Sequence, residues 1–329
     1  MQRLLSRLSP WLIAIGAVWF LHFFVMDHIP PYYFQILMYS GVNVILAVSL
    51  NLVNGFTGQF SMGHAGFMSV GGYVSAATTL YLTQHNPAFM ENTLTATPIF
   101  LLSLFMGGLI ASVAGYVVGL PSLRLKGDYL AIVTLGFGEI IRVIILNIDA
   151  IGGARGMSGI PALSTFGWIY SFAVFTTFCV WRIMQSRYGR TFLAVREDEI
   201  AAEAMGVDTT KAKVRAFVIG AFFAGVSGGL FGHFLRYLNP AIFDFNKGFE
   251  VIIMVVLGGM GSITGSIVAA FILTIIKEAL RPLQEITKLD FRMVIYSLFL
   301  IVLMLTRPNG IFGNSEITDF LRRKKKGAK

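Results

Sequence analysis

A chain of 329 residues that is 55% hydrophobic and only 13% charged, with a mean hydropathy of +0.72, is too apolar for an ordinary soluble protein and reads as an integral membrane protein. The formal charge of +9 does not mark a nucleic-acid binder: the basic residues lie between apolar blocks and in the last eight positions, where positive-inside topology accounts for them. Cys179, the only cysteine, sits in an apolar run and can form no internal disulfide.

In chain order, residues 11–26 form the first expected span. It follows Arg3 and Arg7 and is read as retained, since Val25-Met26-Asp27 is a poor cleavage site for a signal peptidase. After the turn at 27–31 come spans at 32–53, 61–83, 98–120, 129–147, 167–184 and 216–235, then a short half at 249–257, a Gly-rich break at 258–261, a segment at 264–276 and a last span at 293–306. The expected fold class is all-α: a single polytopic transmembrane helix bundle over 1–329, with about ten crossings and short or broken helices. Several blocks fall below the roughly 20 residues needed to cross about 30 Å of hydrocarbon. A short segment beside a Gly break is viable where protein surrounds its free backbone groups, which argues for a bundle packed around a cavity. One continuous helix over 249–276 is the alternative, and it would reverse the parity of everything after it.

Ten crossings put both termini and the 186–215 loop on one side. Most of the 26 Lys and Arg fall on that side, including Arg322-Arg323-Lys324-Lys325-Lys326 in the basic tail at 307–329, so the N- and C-termini are expected in the cytoplasm. Within the 186–215 loop, Glu199 to Met205 is built of strong helix formers and ends at Gly206, a suitable helix C-cap, and Thr209-Thr210 can start the next helix. The result is a short helix and turn at the membrane surface that can pass force to a partner. It carries no nucleophile, metal cluster or phosphate-binding loop.

Small residues crowd the third block, with Gly66, Gly71 and Gly72, and the seventh, with Gly225, Gly228 and Gly229. Their lack of bulk lets helix backbones approach closely, and the two blocks can be static contacts or the moving walls of a transport path. Glu139 and Arg142 share a helix face and can pair. A structural pair, a gate or path lining, and an arginine reaching for the interface all remain open. His64 has no second ligand at metal spacing and is expected to hydrogen-bond within the bundle. Gln59, Ser61 and His64 are plausible polar contacts near the mouth of a path. The glycine-rich run 152–161 lacks the phosphate-loop pattern and reads as a tight outer loop over the bundle. No catalytic or metal site stands out.

At GQFSMGHAGFMSVGGY (58–73), GDYLAIVTLGFGEIIRVIILN (127–147), GGARGMSGIP (152–161) and VREDEIAAEAMGVDTTKAKVRAFVIGAFFAGVSGGLFG (195–232), the sequence resembles the permease subunit of branched-chain amino-acid ABC importers, the LivM type. The resemblance implies a bacterial inner-membrane permease for leucine, isoleucine and valine. It would pair with a second, related permease and two cytoplasmic ATPase subunits that handle ATP and Mg, and be fed by an extracytoplasmic binding protein. It also implies that Glu199, Ala201, Ala202, Glu203 and Gly206 belong to the element that couples to the ATPases. Permeases for urea or short amides look similar, and a membrane scaffold without transport is the reading from another class.

Overall fold

The computed structural model describes residues 2–24, 28–85 and 93–280, apart from 124 and 126, together with short pieces of 298–313. Pro10 lies inside α1 (Gln2–Phe24), whose indole rings pack against α6 (Phe166–Met184): Trp11 meets Phe178 and Trp181, and Trp19 meets Trp168. Pro31 opens α2 (Pro31–Asn51) at a position where a missing N–H costs nothing. The helix then widens into a π-turn over Leu52–Phe56, a local feature often found at functional sites.

Three helices meet along glycine: α3 (His64–His85), α4 (Thr93–Ser122) and α9 (Thr209–Leu235). A Cβ at Gly71 would run into the backbone of Gly225, and one at Gly228 into the carbonyl of Met68. One at Gly107 would lie 2.6 Å from the Gly71 oxygen, and one at Gly225 2.9 Å from the Gly107 oxygen. The seam therefore closes backbone on backbone, which only residues without a side chain allow. Gly72 faces the Gly228 carbonyl, Gly229 faces Leu104 and Ser75, and Gly66 faces Gly138 of α5 (Asp128–Leu146). At all six glycines singled out in the sequence, an added Cβ would press on an atom of a neighbouring helix.

Between α6 and α9 the chain makes two further helices, α7 (Arg187–Glu197) and α8 (Glu199–Ala204), at what we call the loop end of the bundle. At the opposite end, short 3-10 turns at Asp149–Ile151 and Gly153–Arg155 lead into β1 (Met157–Ser158). This pairs antiparallel with β2 (Tyr237–Leu238), with Met157 opposite Leu238 and Ser158 opposite Tyr237. His233 Nδ1 lies 3.0 Å from the Pro161 carbonyl, and Tyr73 Oη donates to the Leu238 carbonyl at 3.2 Å, tying this ribbon to α9 and α3.

The segment 245–279 is two helices, α10 (Phe245–Gly258) and α11 (Ile263–Ala279), so the Gly break interrupts the chain as the short-half reading expects. Asn51 of α2 holds the break: its Oδ1 accepts from Gly261 N at 2.9 Å and its Nδ2 donates to the Ser262 carbonyl at 2.8 Å. Residues 310–313 close over the end of α10, where Ile311 N donates to the Leu257 carbonyl and Phe312 N to that of Gly258.

The bundle is all-α apart from that two-residue ribbon, but the count of ten crossings is corrected. Among the described residues five helices are long and apolar enough to cross a membrane: 31–56, 95–122, 128–146, 166–184 and 209–235. Of these, 31–56 and 209–235 are enclosed most, with 83% and 78% of their apolar windows buried, and so form the centre. The shortfall has local causes. In α3, 22 residues long, Gly, Ser and Thr dilute the hydropathy. The helices α10 and α11 have 14 and 17 residues, and the apolar part of α1 spans only Ser9–Phe24. The expected span at 293–306 and the basic tail at 307–329 lie largely outside the described residues.

Candidate functional site

The polar loop is more ordered than a single short helix. Ser186 caps α7, its Oγ accepting from Tyr188 N at 3.1 Å, and Asp198 caps α8, its Oδ1 accepting from Ile200 N and Ala201 N. At the far end of α8, Gly206 N donates to the Glu203 carbonyl and Val207 N to that of Ala202, the Schellman pair, with Gly206 at φ +82°. The next helix starts at Thr209, as expected, and Asp208 caps it: Asp208 Oδ1 accepts from Lys211 N at 2.9 Å. Hydrogen bonds from Lys211 hold the Asp208 carboxyl below the ordinary carboxylate range.

Gly206 is the position where this turn depends on having no side chain. Nothing lies within 4 Å of a Cβ built there, so any loss on substitution comes from backbone conformation alone. Gly206→Val is expected to destabilise the α8–α9 turn by about 1–2 kcal/mol. Hydrogen exchange at the amides of 202–207 reads this directly, and unchanged protection would contradict it.

Glu199 and Glu203 do share a face, but it is the one turned towards α9. Glu199 Oε1 lies 2.7 Å from Lys213 Nζ, whose side chain is only 3% exposed, and Glu203 Oε1 accepts from Thr209 Oγ1 at 2.6 Å. Ala202 is buried beneath the helix. The outward side of α8 and its C-cap carries apolar groups: Ala201 is exposed, and Ile200 and the C-cap residue Met205 are 74% and 84% exposed. Beside it, between α7 and the turn, lies a cavity of about 380 Å³ lined by Tyr188, Thr191, Lys211 and Arg215, with the Arg215 guanidinium 5.3 Å from the Tyr188 ring centre.

The last residues of α7 also reach the centre of the bundle. Arg196 Nη1 donates to the Gly55 carbonyl in the π-turn at 3.1 Å, while its other nitrogens hold Glu197. The α7–α8 unit is therefore fastened to both enclosed helices, to α2 through Arg196 and to α9 through the Glu199–Lys213 pair.

Gln59, Ser61 and His64 come together, at the loop end beneath α7 rather than at the ribbon end. Gln59 Nε2 donates to the Thr57 carbonyl at 3.2 Å, Asn54 grips the backbone of Ser61 from both sides, and His64 Nε2 is 2.8 Å from Ser49 Oγ. All three are buried, and the Ser61 hydroxyl has no hydrogen-bond partner among the described residues. Glu139 and Arg142 pair at 2.7 Å in the middle of α5, about one-third exposed, among outward-facing Ile132, Ile140, Val143 and Ile144. They do not join the 59–64 group.

One polar group extends beyond the sequence reading, in which Glu250 follows Lys247 at the start of the short apolar run as a carboxylate favoured at a helix N-terminus. Glu250 Oε2, on α10, lies 3.3 Å from Lys247 Nζ and 3.1 Å from Lys277 Nζ of α11; Lys247 also donates to Asn43 Oδ1 of α2 at 2.9 Å, and Asn43 Nδ2 to Thr274 Oγ1. The i,i+3 spacing of Lys247 and Glu250 was the available signal. Nothing in the sequence pointed to Asn43 or Lys277 as their partners. Among the described residues no cluster of His, Cys, Asp or Glu could hold a metal ion.

Residues 32–305 match the family described as branched-chain amino acid transport system, permease component. The chain is 33% identical over 305 residues to the high-affinity branched-chain amino acid transport system permease protein LivM of Salmonella typhimurium, covering 82% of this chain and 67% of that protein. LivM of Escherichia coli K12 is 34% identical with the same coverage. The LivH permease of the same Salmonella strain is 26% identical over 311 residues, covering 87% of this chain and 97% of that one. No solved structure gives a significant match.

Proposed function

The chain belongs to the family of branched-chain amino-acid ABC transporter permeases, and from that premise we propose that it forms half of the path by which leucine, isoleucine and valine enter the cell. It is a transport subunit, and ATP with its Mg is handled by partner chains. The assembly comprises this permease, a second related permease, two cytoplasmic ATPase subunits and an extracytoplasmic binding protein, set in the inner membrane.

The observation that carries the reading is the double fastening of the α7–α8 unit to α2 and α9. A rigid element bound to the two most enclosed helices converts a displacement at its surface into movement of the bundle centre. The loop end is then cytoplasmic, both termini lie on that side, and the less apolar α3 and the short α10 and α11 complete the crossings inside protein rather than lipid. The Glu139–Arg142 pair supports a matching assignment for α5. Charges at mid-helix are costly against lipid, so this face belongs against the second permease, where the pair lines or gates the path. Gln59, Ser61 and His64 sit where the path would open towards the cytoplasm.

Competition uptake into vesicles tests the whole reading. The vesicles would hold the complete complex and its native binding protein, with leucine, isoleucine, valine, urea and acetamide offered separately. Saturable, ATP-dependent leucine uptake that isoleucine and valine inhibit is the expected result. Uptake of urea or acetamide with no response to the amino acids would overturn the substrate, and stable assembly without any flux would overturn transport.

A further inference from the structure

Lys247, Glu250 and Lys277 form a charged cluster in a helix bundle, where ionisable side chains mark functional sites. The Glu250 carboxylate holds both ammonium groups, and Asp244, which accepts from Lys247 N at 3.0 Å, places a second carboxylate on the Lys247 side. The two lysines are not equivalent. Lys247 is 15% exposed and fixed by a second acceptor, Asn43 Oδ1 at 2.9 Å. Lys277 is 40% exposed, and Glu250 is its only partner among the described residues. Both lysines bind the same oxygen, Oε2, and no hydrogen bond to Glu250 Oε1 occurs among the described residues.

We propose that Lys277 and Glu250, braced by Lys247 and Asn43, form a relay site for the head group of a zwitterionic amino acid on its way through the permease, the substrate carboxylate taking Lys277 and its ammonium taking Glu250. The match is one of charge and spacing. Lys277 Nζ and Glu250 Oε2 are 3.1 Å apart, and the two charged groups of an α-amino acid are separated by a single carbon. The substrate carboxylate takes the Lys277 ammonium, which has one partner among the described residues, and Glu250 Oε1 accepts the substrate ammonium without giving up Lys247. Position agrees with passage from the outer side: the cluster is built from the first turns of α10 and the last turn of α11, beside the start of α2, where Tyr32 Oη donates to the Glu278 carbonyl at 2.7 Å. A neutral amide or urea has no use for such a pair. The site rests on the amino-acid reading above and sharpens it.

The test is leucine uptake by the complete complex with saturating leucine-loaded binding protein, comparing wild type with Lys277→Gln and Lys277→Arg. Losing a charged hydrogen bond to the substrate lowers uptake about tenfold. Lys277→Gln is expected to fall by that factor with complex yield and melting temperature unchanged, and Lys277→Arg to recover most of the loss. Uptake by Lys277→Gln within about twofold of wild type overturns the site. So does an equal loss in Lys277→Gln and Lys277→Arg, or a loss that tracks a fall in yield or melting temperature, either of which makes the cluster a staple between α10 and α11. If wild type carries urea and no leucine, it is the function above that fails, and the wild-type measurement shows this before any variant is made.

Discussion

Gly228→Val is expected to remove the folded permease from the membrane rather than to slow its turnover. A side chain at this position meets the Met68 carbonyl and the backbone of Gly72, neither of which can turn aside as a side-chain tip would. Overpacking of a dense core costs about 1–3 kcal/mol where neighbours can repack, and the upper end of that range or beyond is expected where the obstacle is backbone. The damage also spreads, because α3 and α9 close against α4 through Gly107 and Gly225, so separating one pair opens the other. Gly136→Ala is the control: nothing lies within 4 Å of its Cβ, and alanine favours the helix. Size-exclusion profiles and thermal melting in detergent read the outcome. A Gly228→Val protein that elutes and melts like wild type would mean that the seam is looser than described.

Ile200→Asp combined with Met205→Asp is expected to detach the ATPase subunits while leaving the permease itself intact. Both side chains stand free on the outer face of α8, so their replacement removes no internal contact. Burial of two such side chains against a partner contributes about 3–6 kcal/mol, which is more than a hundredfold in affinity, and placing two carboxylates there adds a desolvation cost. ATPase co-purification should be lost with no change in the melting temperature of the permease, and the same result would place the loop end in the cytoplasm. Full co-purification and full coupling would show that docking lies elsewhere. Glu199 is a poor probe of docking, since its removal strands the buried Lys213 ammonium and confounds undocking with unfolding.

Much of this fold was legible because its signals are local. Apolar runs marked the long helices, the glycines at 71, 72, 225 and 228 marked where helices touch, and Gly206 marked a helix end through its freedom at positive φ. What local pattern could not supply is partnership across the chain. Glu199 and Glu203 share a face as their spacing requires, but whether that face looks at a partner or at α9 depends on Lys213 and Thr209, which spacing alone cannot orient. The same limit hid Lys277 from Glu250 and Asn51 from the break at 259–262. The count of crossings failed for a different reason. Length and hydropathy identify a helix that can face lipid, whereas α3, α10 and α11 are built to face protein.

The closure of α10 by residues 310–313 also sets an order of events during synthesis. The carbonyls of Leu257 and Gly258 are satisfied by amides that leave the ribosome some fifty residues later. Until then the broken pair α10–α11 enters the bilayer with its inner end unsealed, a state that hydrocarbon penalises heavily. Asn51 can hold the break in register beforehand, because α2 is made first. The seal on the broken pair is thus made by residues synthesised well after it, and a chain cut before 310 would leave the Leu257 and Gly258 carbonyls without these donors.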